Sequence, residues 1–391
     1  MSGPACSWQN GTIRVNSVNI ENHLSRIRQK RGYSAAALAS KVGVSRQTIY
    51  AMEAESYVPN TLVALRLARV LEVPVEELFR LEDASPPPPS PKEVDLLPGG
   101  QAVEPGLPVQ LCRVDKRTMG VSPTPVAWFL PPADAVVIDS AQKGPGPRKA
   151  RVQVFQDTEQ FGNRLLMAGC DPAMSVLARH LQKSDMELVL AHRNSSQALD
   201  LLQLGCVHIA GSHLRDETTG ESNLPQVRKL FPRGTAVVIA FAVWEEGIVV
   251  AHGNPKAVRE IADFARKGIV LVNREPGSGS RSLLDASLKR LGIPSSKVRG
   301  YDQVAHGHLP AAWQVRTGHA DCCVATRAAA RVFGLDFVPL ISERYDLVIR
   351  KQHLELPAVQ LLLDTLNRTA FRRELEGLGG YDTSGAGKQV A

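Results

Sequence analysis

Apolar positions recur at helical spacing from residue 20 to residue 80, and a turn signal closes each recurrence. Leu24 and Ile27 share one face of a first helix, which ends in Arg28, Lys30 and Arg31 before Gly32. The stretch 34–54 predicts two short helices joined by a tight turn. Ser34 and Ser45 stand where a hydroxyl can cap each of them, and Gly43 stands where the chain must turn with φ > 0. Leu38, Val42, Val44, Ile49 and Met52 fall on one side, which leaves Arg46, Gln47, Thr48 and Tyr50 near the exposed start of the second helix. A further helix after Pro59 carries Leu62, Leu65, Ala68 and Leu71, and Pro74 opens a short one with Leu78 and Phe79. Together these helices predict a compact all-α domain over 20–81.

The pattern then changes. Residues 82–108 read as a Pro-rich linker whose tract 84–91 should be extended and semi-rigid. Short strands at 109–114, 126–130, 135–138 and 151–155, separated by Pro and Gly turns, predict a small β-rich connecting segment over 109–161. Across 162–391 apolar strands alternate with helices. The strands fall at 165–168, 188–191, 207–211, 236–243, 248–251, 269–273, 320–325, 337–340 and 345–349. One of the intervening helices runs from Pro255 to Lys267, and Ser195 and Ser196 cap another. Such alternation predicts parallel sheets with helices on their faces.

Composition narrows this picture. Of 391 residues 43% are hydrophobic, ample for real cores, yet no apolar run approaches a membrane span. Residues 1–19 read as a poorly ordered leader. Trp8 and Asn10 interrupt the place where a signal peptide needs an apolar stretch, so a cytoplasmic protein with no membrane partner is expected. Cys6, Cys112, Cys170, Cys206, Cys322 and Cys323 form no CxxC pair, and no metal or cofactor is expected. The net charge of +7 is unevenly spread: six basic residues lie between Glu21 and Tyr50 against that one acid, which suits phosphate binding. Arg28, Ser34, Ser45, Arg46, Gln47, Thr48 and Tyr50 are the candidate DNA contacts.

A second chemistry is written into Asn273-Arg274-Glu275-Pro276-Gly277-Ser278-Gly279-Ser280-Arg281, between a strand and a helix. Gly277 and Gly279 let the backbone approach a ligand, Ser278 and Ser280 add hydroxyls, Arg281 adds charge, and the helix start offers free N–H groups. No Gly-Lys-Ser/Thr follows, and the third glycine of a dinucleotide fingerprint is missing. Cys170 and Asp171, Ser195 and Ser196, and His308 stand at strand ends or helix starts, places that converge on a crevice in open α/β sheets. No nucleophile–base pair or paired carboxylate signals catalysis, and the vicinal Cys322-Cys323 falls in an expected buried strand, so no enzyme is expected.

Residues 20–80 resemble the phage-repressor type of helix-turn-helix domain, the XRE or Cro/C1 family. The matching points are Leu24, Arg28, Ser34, Leu38-Ala39, Gly43-Val44-Ser45, Ile49, Glu53, Pro59, Leu65, Ala68 and Leu78. Ala35 departs from the Gln that family members usually place after the helix-two cap, which removes one expected phosphate contact. Residues 165–385 resemble the periplasmic-binding-protein-like domain of regulators, related to molybdate and tungstate receptors. This likeness rests on Gly169-Cys170-Asp171-Pro172-Ala173, Ala210-Gly211-Ser212-His213-Leu214, the 273–281 turn, His308-Leu309, Phe337-Val338-Pro339-Leu340 and Arg344-Tyr345-Asp346-Leu347. It implies two lobes joined by crossing strands near 240–243 and 340–345, with Ser195, Ser278, Ser280 and Tyr345 as hydroxyl donors to an anion. Cys170 stands where those receptors commonly have Ser. The expected fold class is therefore multidomain: an all-α helix-turn-helix head plus an α/β two-lobed domain. The expected function is a homodimeric regulator that binds a double-stranded DNA operator and senses an oxyanion such as molybdate or tungstate. A small organic effector, or an enzyme or binding protein of molybdenum-cofactor metabolism on the same scaffold, is the alternative.

Overall fold

The computed structural model describes residues 20–54, 56–81, 90–99, 103–122, 130–140, 146–155, 163–216, 219–232 and 234–391. The expected leader 1–19, most of the Pro tract and the expected strand at 126–130 lie outside the described residues, Leu130 excepted. The chain divides into two units, Met1–Pro88 and Pro89–Ala391.

In the first unit, β1 (Ile20–Asn22) leads into α1 (Leu24–Lys30), α2 (Ala35–Val42), α3 (Arg46–Glu53), α4 (Thr61–Leu71), α5 (Val75–Leu78) and β2 (Phe79–Leu81). β1 pairs antiparallel with β2 and ties the two ends of the helical array together. The caps form as their residue types dictate: Ser34 accepts from the Ala37 N–H, Ser45 from Thr48 and Asn60 from Val63, while Gly43 closes α2 at φ 80°. Leu24, Leu38, Ile49, Met52, Leu67, Leu71 and Leu78 are fully buried. On α4 the inward stripe is Val63, Ala64, Leu67, Ala68 and Leu71; Leu62 and Leu65 are 57% and 56% exposed. That helix is apolar on both sides, so periodicity alone did not choose its face.

The second unit opens with a closed five-stranded barrel. Its strands are β3 (Lys92–Leu96), β4 (Pro108–Val114), β5 (Arg117–Val121), β6 (Ala135–Ser140) and β7 (Arg148–Val154), in the order β3-β5-β4-β6-β7. The expected linker 82–108 is corrected here, because β3 pairs with both β5 and β7 and buries Val94 and Leu96 in the barrel core. The barrel also packs against the α/β region: Cys112, Val114, Met119 and Val121 share a core with Leu166, Ala168 and Val189.

That region carries β8 (Arg164–Gly169), α6 (Met174–Gln182), β9 (Glu187–His192), α7 (Ser195–Gln203), β10 (Ile209–Ser212), α8 (Leu224–Leu230) and β11 (Ala236–Val250). Then come β12 (Asn273–Arg274), α9 (Gly279–Arg290), β13 (Val304–Ala305), α10 (His308–Arg316), β14 (Cys322–Thr326), α11 (Arg327–Val332) and β15 (Asp336–Arg350). α12 (Pro357–Asn367), α13 (Thr369–Gly377) and β16 (Tyr381–Asp382) close the chain. The main sheet has the order β14-β11-β15-β10-β8-β9, with β16 also on β11. It is mixed: β8 is parallel to β9 and β10, whereas β15 is antiparallel to β10 and β11. β11 and β15, 15 residues each, run the length of both lobes and are the crossing strands. Each was expected as two strands. Glu245 and Glu246 interrupt the apolar run of β11, yet the ladder passes through them with bulges at Ala240/Ala242 and Glu246/Gly247. The expected helix 255–267 reduces to a 3-10 turn at Ile261–Ala265, since Asn254 and Ala257 adopt positive φ and break helical continuation. Among the described residues, no helix is long and apolar enough to cross a membrane.

Candidate functional site

On the head, α3 presents Arg46, Gln47 and Tyr50 to solvent with Thr48 half-buried. The Arg46 guanidinium lies 5.2 Å over the Tyr50 ring and donates to its hydroxyl at 2.9 Å, so this helix start shows one coherent polar and aromatic face. Ser34 and Ser45 spend their oxygens on helix caps, Ser45 also meeting the Thr48 hydroxyl at 2.8 Å. Arg28 is a correction. It grips Glu53 through two nitrogens at 2.5 and 3.0 Å and donates to the Tyr33 carbonyl at 2.9 Å, with only 11% of its side chain exposed. Arg28 therefore braces α1 against α3 and is not free to reach a phosphate.

In the second unit the two lobes meet across a cleft floored by the crossing strands. Asn194 Nδ2 donates to the Pro276 carbonyl at 3.1 Å, and the Ser196 N–H reaches the Gly277 carbonyl at 3.4 Å. A Cβ at Gly279 would collide with the His213 ring, and one at Gly307 (φ 110°) with the His192 ring. Glycine is required at these two points because side chains from the opposite lobe stand directly against the backbone.

Cys170, His213, Glu246, His308, Glu343 and Tyr345 converge in this cleft, all buried. The potential ligand atoms of Cys170, His213 and His308 lie within 4.8 Å of one another, and so do those of His213, Glu246 and Glu343. His213 Nδ1 is 3.0 Å from Glu343 and 3.6 Å from Glu246, and Ser280 donates to the other oxygen of Glu246. His213 Nε2, both nitrogens of His308, Glu246 Oε2 and the Tyr345 hydroxyl are buried without a hydrogen-bond partner. Unpartnered buried polar atoms are costly, and several in one place mark a site built to receive something. Trp244 packs on the group, 4.8 Å from His213, 5.2 Å from His308 and 5.0 Å from Tyr345 between ring centroids.

The local field follows from burial. It pushes Glu246 up to about 8, helped by the neighbouring Glu343, which is itself raised by burial. Burial works to lower His213, but Cys170 and Glu246 outweigh it and hold its pKa above the ordinary value. His308 is driven well below its usual value by burial and by the Arg274 charge. Arg274 is buried and ion-paired with Glu275 at 2.9 and 3.0 Å, which keeps the guanidinium charged against the desolvation that would lower it.

Several expected site residues are placed differently from their assigned roles. Asn194, not Ser195 or Ser196, caps α7; Ser195 instead accepts from the His213 N–H at 3.1 Å and Ser196 packs at Gly277. Ser278 caps α9, accepting from Arg281 at 3.3 Å and donating to Glu275 at 2.8 Å, so its hydroxyl is committed. Arg281 turns away onto Tyr301, 4.0 Å from the ring, and bonds Asp285 at 3.2 Å, whereas Arg274 Nη1 reaches the Ser280 hydroxyl at 3.5 Å. Asp171 binds the Ala173 N–H and the Tyr381 hydroxyl, both at 2.8 Å, and burial pushes it up to about 7. Cys170, His308 and Tyr345 remain in the cleft. The sequence reading missed Arg274, Glu246 and Glu343 as site residues and gave His213 no assigned role. The available signal was two acids lodged in the middle of otherwise apolar strands.

Fold and cleft together define a two-lobed binding domain of the periplasmic-binding type in one chain with a helix-turn-helix head. Residues 178–367 match the PBP superfamily domain, and residues 24–78 match the helix-turn-helix family. The uncharacterized protein YvgK of Bacillus subtilis is 33% identical over 237 residues, 60% of this chain and 76% of its own length. The uncharacterized HTH-type transcriptional regulator YgzD of the same organism is 38% identical over 64 residues, 16% of this chain and 97% of its own. Among solved structures, the sulfate-binding protein SubI of Mycobacterium tuberculosis superposes with a TM-score of 0.44 at 15% identity, covering 56% of this chain and 86% of that one. The chain belongs to the same family as YvgK, and carries a PBP superfamily domain over residues 178–367 and a helix-turn-helix domain over residues 24–78.

Proposed function

We propose that this protein is a ligand-responsive transcriptional regulator and not an enzyme, binding an operator as a homodimer in the cytoplasm and taking its effector between the two lobes. The observation that carries the proposal is one chain holding a helix-turn-helix with Arg46, Gln47 and Tyr50 displayed, and a cleft whose buried polar groups lack partners. Closure of the lobes on the effector would shift the population of the state that holds DNA.

Molybdate or tungstate, the effector expected from the sequence, draws support from Arg274, His308 and Tyr345 as donors and from the start of α9. A cation is favoured by a separate observation: Glu246 and Glu343 face the same space from the crossing strands. Isothermal titration of the full chain against molybdate, tungstate and sulfate, followed by gel shifts on a selected operator with and without each anion, tests the oxyanion reading. Heat on adding molybdate or tungstate, with a shifted operator affinity, is the outcome expected of it. Flat traces for all three anions remove it.

A further inference from the structure

We propose that the cleft holds a late first-row divalent cation of the zinc class, ligated by Cys170, His213 and His308. This inference rests on the cleft being the effector site and names the class of effector. The three ligands come from three separate segments: Cys170 follows β8, His213 follows β10 and His308 opens α10 on the opposite lobe. A shared ion would therefore bind the lobes to one another, which is what an effector of a two-lobed domain must do.

The donor chemistry selects a metal over a tetrahedral anion. A thiol is a weak hydrogen-bond donor, and the carboxyl oxygens of Glu246 and Glu343 turn lone pairs, not donors, toward the same space. A cysteine sulfur with two imidazole nitrogens is instead a borderline-soft donor set suited to zinc-class ions. Both nitrogens of His308 are buried and lack a partner. His213 offers Nε2, also without a partner, while its Nδ1 faces Glu343 at 3.0 Å. That is the carboxylate–imidazole–metal arrangement in which the carboxylate fixes the tautomer and raises ligand basicity, so Glu343 acts as a positioning residue. Glu246 is buried beside the same imidazole, 3.6 Å from its Nδ1.

The donor atoms lie within 4.8 Å of one another, and tetrahedral zinc needs roughly 3.5 Å between them, so binding would draw the three side chains together. Three protein ligands leave a fourth position for water or a small anion, and the Tyr345 ring stacks 6.1 Å from the His213 ring.

The test uses the full-length protein, stripped with chelator and titrated with Co2+ alone as a spectroscopic probe, then with Zn2+ as competitor. One equivalent of Co2+ should give a thiolate-to-cobalt absorption in the near ultraviolet, displaced by Zn2+. Cys170→Ser should abolish that band while circular dichroism stays unchanged. His308→Gln and Glu343→Gln should weaken binding by about 10–100-fold or more. A band that survives in Cys170→Ser places the thiolate at another cysteine and overturns the proposal, as does the absence of stoichiometric uptake. Gel shifts run on the same samples separate the two readings. Metal bound through Cys170 with operator affinity unchanged upholds the metal site and sinks the effector reading. No metal uptake, with operator affinity answering to molybdate, sinks the metal site and leaves the effector reading standing.

Discussion

The Tyr345 hydroxyl is pressed between the backbones of Gly169 and Gly211, where any Cβ would collide with it. Gly211→Ala should therefore force Tyr345 out of place and cost about 1–3 kcal/mol, read as a lowered Tm of the second unit; an unchanged Tm would mean the ring yields freely. Arg28 and Glu53 form a mostly buried bidentate pair, and removing one partner strands the other charge. Arg28→Ala should lower the stability of the head by about 2–4 kcal/mol in urea unfolding. His208 gives a pH dependence. Its Nδ1 accepts from the Leu166 N–H at 3.0 Å, and burial, with His353 nearby, lowers its pKa from 6.5 to about 4. Between those values the unfolded chain binds the proton and the folded one does not. The stabilisation is thus complete above pH 6.5 and is lost as pH falls toward 4, by about 3 kcal/mol at most. Thermal melts from pH 7 to 4.5 should show the fall, and His208→Gln, which keeps an acceptor, should flatten it.

At the scale of elements, α3 is the part of the head that faces outward with chemistry. Arg46→Ala or Gln47→Ala should lower specific operator affinity by about 1–3 kcal/mol while leaving the melt of the head unchanged, measured by gel shift and circular dichroism side by side. Ser45→Ala should do the reverse first, costing about 1 kcal/mol of stability through the lost cap. Most helices were legible because caps and apolar spacing agree locally, as in α2, α3 and α9. Two kinds of element were not. The stretch 255–267 has helix-like composition, but left-handed turns at Asn254 and Ala257 end it. β11 and β15 looked broken because acids sit within them; tertiary pairing over 15 residues carries each strand through.

At the scale of the whole molecule, the proposal is an energetic coupling between cleft and operator. Linkage then requires reciprocity: whatever factor the effector applies to operator affinity, the operator must apply to effector affinity. Titrating the effector against the protein with and without operator duplex should return the same factor as the gel shifts, and a mismatch would deny a direct coupling. The order of the chain, a helical head, a Pro-rich stretch and an alternating α/β region, was determined by the sequence alone, since periodicity and turn chemistry are local properties. The head's cap serines and the outward set on α3 were equally local. Only the tertiary structure decided the cleft. Cys170, His213, Glu246, His308 and Glu343 are separated by tens of residues and carry no ligand spacing along the chain. They share one space because two long antiparallel strands cross between lobes and glycines let opposite walls touch, a contact that no local pattern encodes.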